Sequence, residues 1–591
     1  MNAAFRSRMG RPLLSSLACL AWTAVGCNDV DTDTSGAGSG SAEGGTDGVY
    51  RISGELTGLQ GGSVSLIQAN EDTLTLDADG TFSFEVRLNA GDAYDVQVLA
   101  QPVGPDQTCE VFAGAGEVTA SDVTDIRVEC VTPIRHVVIL GIDGLGGGFV
   151  SEANMPIFDD LIAKGTSTML MQNVLPTSSS TNWMSMIGGS SPDQHGVLSN
   201  AWQPGDSSPP PTLFATLRAQ RPEASIGVFH DWVDFDRLVE EGVVDQMLTP
   251  GDEQETMDAA LTWADANKPD LLFIHLDHVD HAGHFNTWGS DAYFASIEKA
   301  DDLLGQLMAG LEANGMWPYT ALLVSSDHGG EGFTHGADTA AERAIPFVVR
   351  TPQGSPAAVT RETRIWDIAA TAAKLLELEI PASWVASPVQ EVWGPLEFPE
   401  VAPLEVQTSE ALTLIYNDEG TGSFANVSIW RPGVPEGFRS LGDVPFDAYT
   451  SPMVTSYVVA ADHPAVTQPM GYEKIWSDAG ANGDLQVTLW NPIPALGSVC
   501  PGQIATADYG APPELDAIAC VRADHAQVAG VAFVWDDTGS GADWDGSIWG
   551  CTTPPNGVLV HPTFLSRRHH DGPGYVECMG LSQDLTTLRD G

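Results

Sequence analysis

His136-Val137-Val138-Ile139-Leu140, running on to Ile142-Asp143-Gly144, is an almost unbroken apolar run that ends on a carboxylate and a glycine. Strands buried on both faces of a parallel sheet read this way. Two more runs repeat the arrangement: Leu271-Leu272-Phe273-Ile274 leads to Asp280, and Ala321-Leu322-Leu323-Val324 leads to Asp327. Helix-period stretches at 255–266 and 292–311 lie between them. Strand and helix alternate over residues 133–400, which predicts an α/β domain with a mainly parallel sheet and helices on both faces. In such sheets reactive groups gather just past the strand C-termini, where Asp143, Asp280 and Asp327 all fall.

Each of these carboxylates has company. The second cluster reads Asp280-His281-Ala282-Gly283-His284, and the third reads Ser326-Asp327-His328-Gly329-Gly330 with His335 close behind. Asp280 and His284, four residues apart, can address one point from a single helical turn. Mixed oxygen and nitrogen ligands favour two divalent metals, zinc ahead of manganese or iron. Between the first and second clusters lies Pro176-Thr177-Ser178-Ser179-Ser180-Thr181-Asn182, followed by a helix-like stretch at 182–187. A hydroxyl entering a helix N-terminus faces free N–H groups that favour a phosphate oxygen. Composition alone leaves all five hydroxyls in contention as nucleophile.

The order Ile-Asp-Gly, Pro-Thr-x-Ser-x-x-Asn, Asp-x-x-Gly-His, Ser-Asp-His-Gly, then His resembles the alkaline phosphatase superfamily. It is most similar to its type I phosphodiesterase/nucleotide pyrophosphatase branch over residues 135–380. Met155-Pro156-Ile157-Phe158 and Pro192-Asp193-Gln194-His195-Gly196-Val197 are also family-like. The resemblance selects Ser179 as nucleophile and has Asn182 donate to a phosphoryl oxygen. It implies one metal on Asp143, Ser179, Asp327 and His328, and a second on Asp280, His284 and His335. In many nucleotide pyrophosphatases the last histidine lies beyond the strand matched here by Ile345-Pro346-Phe347; no histidine follows that strand before His463. His278 and His281 are expected to be bystanders. The implied activity is hydrolysis of phosphodiester or nucleotide pyrophosphate bonds through a phosphoseryl intermediate. A phosphomonoesterase of the same fold is the alternative, with Arg237 a candidate for the extra phosphate charge. A non-catalytic surface adhesion protein is the alternative of another class. The sulfatase Cys/Ser-x-Pro-x-Arg pattern is absent.

The flanks differ in character. Arg6, Arg8 and Arg11 precede an apolar stretch at 13–25 that ends Ala24-Val25-Gly26-Cys27. This predicts an export signal over 1–27, either a lipoprotein type that anchors Cys27 to a membrane or an ordinary secretory one. Both place the mature chain outside the cytoplasm. Residues 28–48, rich in Gly, Ser, Thr and Asp, read as a flexible linker. Period-two alternation over 49–132 predicts a small β-sandwich closed by Cys109–Cys130. From 405 to 591 one motif recurs: Tyr416, Trp476 and Trp535 stand 60 and then 59 residues apart, each followed fourteen residues later by Trp430, Trp490 or Trp549. Three such units predict a prism-like or trefoil-like β-domain with the aromatics on its axis. The region also resembles the vacuolar protein sorting-associated protein 62 family, which implies a binding or scaffolding role with a ligand of its own. Cys500–Cys520 and Cys551–Cys578 are the expected neighbour pairings. The net charge of −54 over 591 residues repels polyanions, so duplex nucleic acid is not an expected partner, whereas a small phosphate ester is.

Overall fold

Central strands of this chain carry apolar residues on both faces, and they assemble into one eight-stranded sheet. The computed structural model describes residues 49–69, 72–354, 356–553, 558–570 and 577–589. The export signal, Cys27 and the linker lie outside the described residues. In chain order the sheet comprises β1 (His136–Ile142), β2 (Thr166–Gln172), β3 (Ile226–His230), β4 (Gln246–Leu248), β5 (Leu271–Leu276), β6 (Thr320–Ser325), β7 (Ala344–Arg350) and β8 (Ala357–Ala358). Their order across the sheet is β4-β3-β5-β1-β6-β7-β2-β8. Every neighbouring pair is parallel except the two that involve β7.

Alternate residues of β1 feed opposite faces. Val137 and Ile139 enter a core shared with Trp183, Phe214 and Phe273, while Val138, Leu140 and Ile142 enter one shared with Phe158, Tyr293 and Leu304. The sheet is therefore covered on both sides, which is why its strands read as continuous apolar runs. The helices that matter for the site are α1 (Ser179–Gly188), α2 (His278–Asn286) and α3 (Asp291–Ala313).

Before this domain stand two four-stranded sheets. One has the order Gly80–Ser83, Ile52–Thr57, Val123–Val131, Thr108–Phe112; the other has Asp72–Leu76, Val64–Gln68, Ala93–Ala100, Ala115–Glu117. Ile52, Leu56, Val64, Leu66, Val96 and Val128 of the two sheets share one core. Cys109 and Cys130 face each other across adjacent strands and are bonded. The other two expected disulfides, Cys500–Cys520 and Cys551–Cys578, are also formed.

The C-terminal region is built from small antiparallel sheets. Three are equivalent: Leu412–Asn417 with Ser428–Pro432 and Val444–Phe446; Gly471–Ser477 with Thr488–Ile493 and Ile504–Thr506; Gly530–Asp536 with Ser547–Thr552 and Phe564–Arg567. Each first pair carries an irregularity just before its aromatic, at Tyr416, Trp476 and Trp535. Those three side chains meet in one core with Ile429, Leu489 and Ile548. The second aromatics do not join them. Trp490 packs with Tyr472 and Ile504 in a separate cluster, and Trp549 is half-buried against Phe533. Only the first aromatic of each repeat is axial, because the alternation of a strand sends the second to the outer face of its sheet. Leu404–Ser409 pairs in parallel with Thr586–Arg589, so the first and last strands of the region lie side by side. Among the described residues no helix is long and apolar enough to cross a membrane.

Candidate active site

β5, β1 and β6 are neighbours in the sheet, and their C-terminal ends deliver the three clusters to one place. Asp143 follows β1 directly, Asp280 lies in the first turn of α2 after β5, and Asp327-His328 follow β6. The turn after Asp143 requires glycine. Gly144 has φ +76°, and a Cβ there would stand 2.6 Å from Cα of Asp280. Gly283 and Gly330, inside the second and third motifs, both lie against the Trp288 indole, where an added Cβ would come within 2.5 Å. The Trp288 Nε1–H donates to Gly144 O at 3.0 Å, so this one side chain ties all three loops together.

Ser179 is the first residue of α1 and is 5% exposed. Its Oγ lies 3.3 Å from His328 Nε2. His328 Nε2 in turn lies 3.2 Å from Asp327 Oδ2 and 3.5 Å from Asp143 Oδ1. On the other side, Asp280 Oδ1 is 3.7 Å from His335 Nε2, and Asp280 Oδ2 is 3.4 Å from His284 Nε2. The His328 and His335 rings stack with centroids 3.8 Å apart. Asp143, Asp327 and His328 form one cluster with ligand geometry, and Asp280, His328 and His335 form an adjoining one. The fold thus brings together Asp143, Ser179, Asp280, His284, Asp327, His328 and His335.

Two features of this cluster fit divalent cations. First, each histidine spends Nδ1 on a backbone carbonyl: His328 donates to Gly329 O at 2.8 Å, His335 to Thr177 O at 2.6 Å and His284 to Phe333 O at 2.9 Å. That leaves the Nε2 lone pairs aimed at the carboxylates, as metal-binding imidazoles are held. Second, Asp143 Oδ1, Asp280 Oδ1 and Asp327 Oδ2 are buried without a hydrogen-bond partner. Among the described residues, no lysine or arginine pairs with these three carboxylates. Burying such oxygens is costly unless a cation meets them.

The titration shifts agree. Burial, with Asp327 nearby, raises Asp143 well above the usual carboxylate range, and burial with Asp143 nearby does the same to Asp280. Burial and Asp280 push Asp327 up to about 7. Burial, with His335 alongside, holds His328 well below the ordinary imidazole value; burial takes His335 down to about 4. Neutral imidazoles among crowded carboxylates are donors waiting for a positive centre.

Asn182 is placed differently from its expected role. It is fully buried; its Oδ1 accepts from Val174 N at 2.7 Å, and its Nδ2 lies within 3.3 Å of the carbonyls of Val174, Pro176 and Ser178. The amide is spent holding the 174–178 loop that leads into α1. Asn200 reaches the first turn of α1 instead. It is exposed, and its Oδ1 accepts from the backbone N–H of Ser180 at 2.8 Å. Its Nδ2 has no partner among the described residues. Arg237 is ion-paired to Asp234 at 2.8 Å and donates to Asn200 O at 2.9 Å, so it is committed to its own loop. His278 and His281 stand aside as expected, one on Ser296 O and the other stacked on Phe285.

His275, within β5, is the residue that the apolar run concealed. It is fully buried, with Nε2 3.1 Å from Asp143 Oδ2 and Nδ1 3.3 Å from Asp231 Oδ1. Burial alone would lower its pKa, but the contacts with Asp143 and Asp231 outweigh it and hold it at about 10. With the Trp183 Nε1–H, which donates to Asp143 Oδ2 at 2.9 Å, His275 fixes the outer oxygen of Asp143 and leaves Oδ1 to the site.

Residues 137–243 and 204–345 match the model of the type I phosphodiesterase / nucleotide pyrophosphatase family, and residues 390–559 match that of vacuolar protein sorting-associated protein 62. A venom phosphodiesterase of Macrovipera lebetinus is 22% identical over 223 residues, covering 33% of this chain and 25% of the relative. A bis(5'-adenosyl)-triphosphatase of Mus musculus is 19% identical over 215 residues, covering 33% and 47%. The chain thus spans between a quarter and a half of the length of these relatives. Murine ectonucleotide pyrophosphatase / phosphodiesterase 5 in complex with AMP superposes with a TM-score of 0.38 at 16% identity, over 44% of this chain and 99% of that one. The segment that matches the type I phosphodiesterase / nucleotide pyrophosphatase model, residues 137–345, carries β1, α1, α2 and β6 with every residue of the cluster.

Proposed function

We propose that this protein is an exported, two-metal phosphoric ester hydrolase that cleaves phosphodiester or nucleotide pyrophosphate bonds through a phosphoseryl intermediate. The observation that carries this reading is the convergence of three partnerless carboxylate oxygens and three Nε2 lone pairs beside the Ser179 hydroxyl. Asp143, Ser179, Asp327 and His328 would hold one cation, and Asp280, His284 and His335 the other; the oxygen and nitrogen donor set suits zinc. When bound, the two cations supply the positive charge that ionises a serine hydroxyl and neutralises a departing oxygen.

The protein's own groups do the rest. The Ser179 oxygen attacks phosphorus in line, the bond to the leaving-group oxygen breaks, and the serine proton leaves with that group. Water then cleaves the phosphoseryl ester, and its proton restores the serine hydroxyl. The N-terminus of α1 directs its dipole at the phosphoryl oxygens. Asn200 offers its Nδ2 hydrogens to the same oxygens. A diester carries one negative charge on phosphorus and asks for no further cation. Arg237, committed to Asp234, is not free to meet the second charge of a monoester, which favours the diester. The similarity to a venom phosphodiesterase and to a bis(5'-adenosyl)-triphosphatase supports the same substrate class. Three disulfides suit a chain that works outside the cytoplasm, anchored through Cys27 or secreted.

Metal analysis of the purified protein, with hydrolysis of bis-p-nitrophenyl phosphate and p-nitrophenyl phosphate, tests the reading. Two metals per chain and faster turnover of the diester are expected. Ser179→Ala is expected to abolish turnover while both metals stay bound. Fewer than one metal per chain with no turnover of either ester would remove the hydrolase assignment; full activity in Ser179→Ala would move the nucleophile elsewhere.

A further inference from the structure

His335 sits on a loop between Gly330 and the short helix Ala340–Arg343, and that loop is gripped from two sides. On the inner side, Glu342 is 2% exposed, and its Oε2 accepts from Thr177 Oγ1 at 2.5 Å, Gly336 N at 2.7 Å and Ala337 N at 2.6 Å. This joins the His335 loop to the loop that carries the nucleophile.

On the outer side the grip comes from the three-repeat domain. Asp338, three residues after His335, is 2% exposed. Its Oδ2 accepts from Arg567 Nε at 3.0 Å and from Arg568 N at 2.9 Å, and its backbone carbonyl accepts from Arg567 NH2. Arg567 is itself 2% exposed and ends the last strand of the third repeat sheet. The second repeat contributes as well. Glu473 is 1% exposed and faces Arg343 NH1 at 4.0 Å and Arg364 NH1 at 3.2 Å. Arg568 donates to Ile475 O at 2.9 Å and lies over the Trp544 ring. Six charged residues from the two domains thus meet beside the His335 loop, Asp338, Arg343, Glu473 and Arg567 buried and Arg364 and Arg568 half-buried.

Buried ion pairs of this kind add little stability over well-packed apolar residues, yet they fix one arrangement of the groups they join. Three residues of chain separate Asp338 from His335, at most about 10 Å of reach. The position of Asp338 therefore bears on that of the His335 loop, which Thr177 O and Glu342 hold from the other side.

We propose that the three-repeat domain is a working part of the hydrolase site: Arg567, reaching across to Asp338, is a positioning residue that holds His335 in place for the second cation. This rests on the two-metal reading above and assigns the repeat domain a task within it.

The test uses full-length protein in buffers of defined free zinc, with stoichiometry read by mass spectrometry of bound metal. Wild type is expected to hold two equivalents. Arg567→Met is expected to retain the first and to weaken the second by about 10- to 100-fold, the effect of removing an outer partner of a metal ligand. Hydrogen exchange at 334–343 should rise, excess zinc should restore turnover, and Arg567→Lys should lie between the two. Arg522→Met is the control. Arg522 is a largely buried arginine of the same domain that bonds Asp524 and Pro399 O, and its loss should leave both equivalents bound. If Arg567→Met folds poorly, the double variant Asp338→Asn/Arg567→Met keeps the net charge of the network, leaves Arg343 facing Glu473, and is expected to show the same selective loss. A folded Arg567→Met or double variant that binds both equivalents with wild-type affinity overturns the proposal. A wild type that never holds two equivalents overturns the two-metal reading instead.

Discussion

Acid should loosen the repeat domain through one histidine, and the amount can be worked out. His561 is 1% exposed; its Nδ1 accepts from Tyr457 N at 3.0 Å and its Nε2 donates to Gly442 O at 3.0 Å. Both ring nitrogens are thus used by the neutral form, and a second proton would face an N–H. Burial lowers its pKa from 6.5 to about 4. The unfolded chain binds this proton from about pH 6.5 downward and the folded chain only near pH 4, so stability falls as pH falls between those values. Linkage gives a loss of about 2 kcal/mol at pH 5 relative to pH 7.5, and about 3 kcal/mol below pH 4. His561→Gln keeps an acceptor and a donor but cannot titrate. It should cost about 1–2 kcal/mol at pH 7.5 for imperfect hydrogen bonds, yet lose about 2 kcal/mol less than wild type on going to pH 5. Urea unfolding followed by tryptophan fluorescence at the two pH values measures this double difference, in which the other buried histidines cancel. Equal losses in the two proteins, within about 0.5 kcal/mol, would show that His561 is not held neutral and would refute the argument.

Asn200→Ala should lower kcat/KM about 100-fold at unchanged stability, whereas Asn182→Ala should destabilise the fold by several kcal/mol, because its amide serves buried backbone groups; paired kinetics and unfolding separate the two. Asp327, raised to about 7, makes metal-free protein less stable as pH climbs from about 4 to 7, and makes cation binding release a proton below about 7. The rise in melting temperature on adding zinc should therefore grow from pH 5 to pH 8; a constant increment would contradict the shift.

The central domain was legible because its physics is local. Apolar runs announce strands buried on both faces, and a carboxylate behind each run announces the reactive edge. Asp143, Ser179, Asp280, His284, Asp327, His328 and His335 lie together at that edge. His335 closes the cluster, while His463 lies in the repeat domain against Ala402 O. Asn182 misled because a motif position says nothing about which way an amide turns, and the α1 helix turns it inward to the 174–178 loop. Asn200 is announced only by a contact made after the chain has folded back. His275 was hidden inside an apolar strand, where one imidazole scarcely disturbs the pattern. The Asp338–Arg567 pair spans 229 residues, and no local period records such a pairing. The repeat itself was plain in the spacing, but the irregularity that sends one aromatic inward and the next outward is a property of the strand backbone.

The parallel pairing of Leu404–Ser409 with Thr586–Arg589 has a bearing on time as well as shape. Synthesis delivers Ser179 and the clustered carboxylates and imidazoles well before Arg567 and the strand that pairs with Leu404–Ser409. A chain made only that far carries the clustered carboxylates and imidazoles without the contact between Arg567 and Asp338. On the proposed role of Arg567, the His335 loop takes its final place only once this late part of the repeat region has been made and folded.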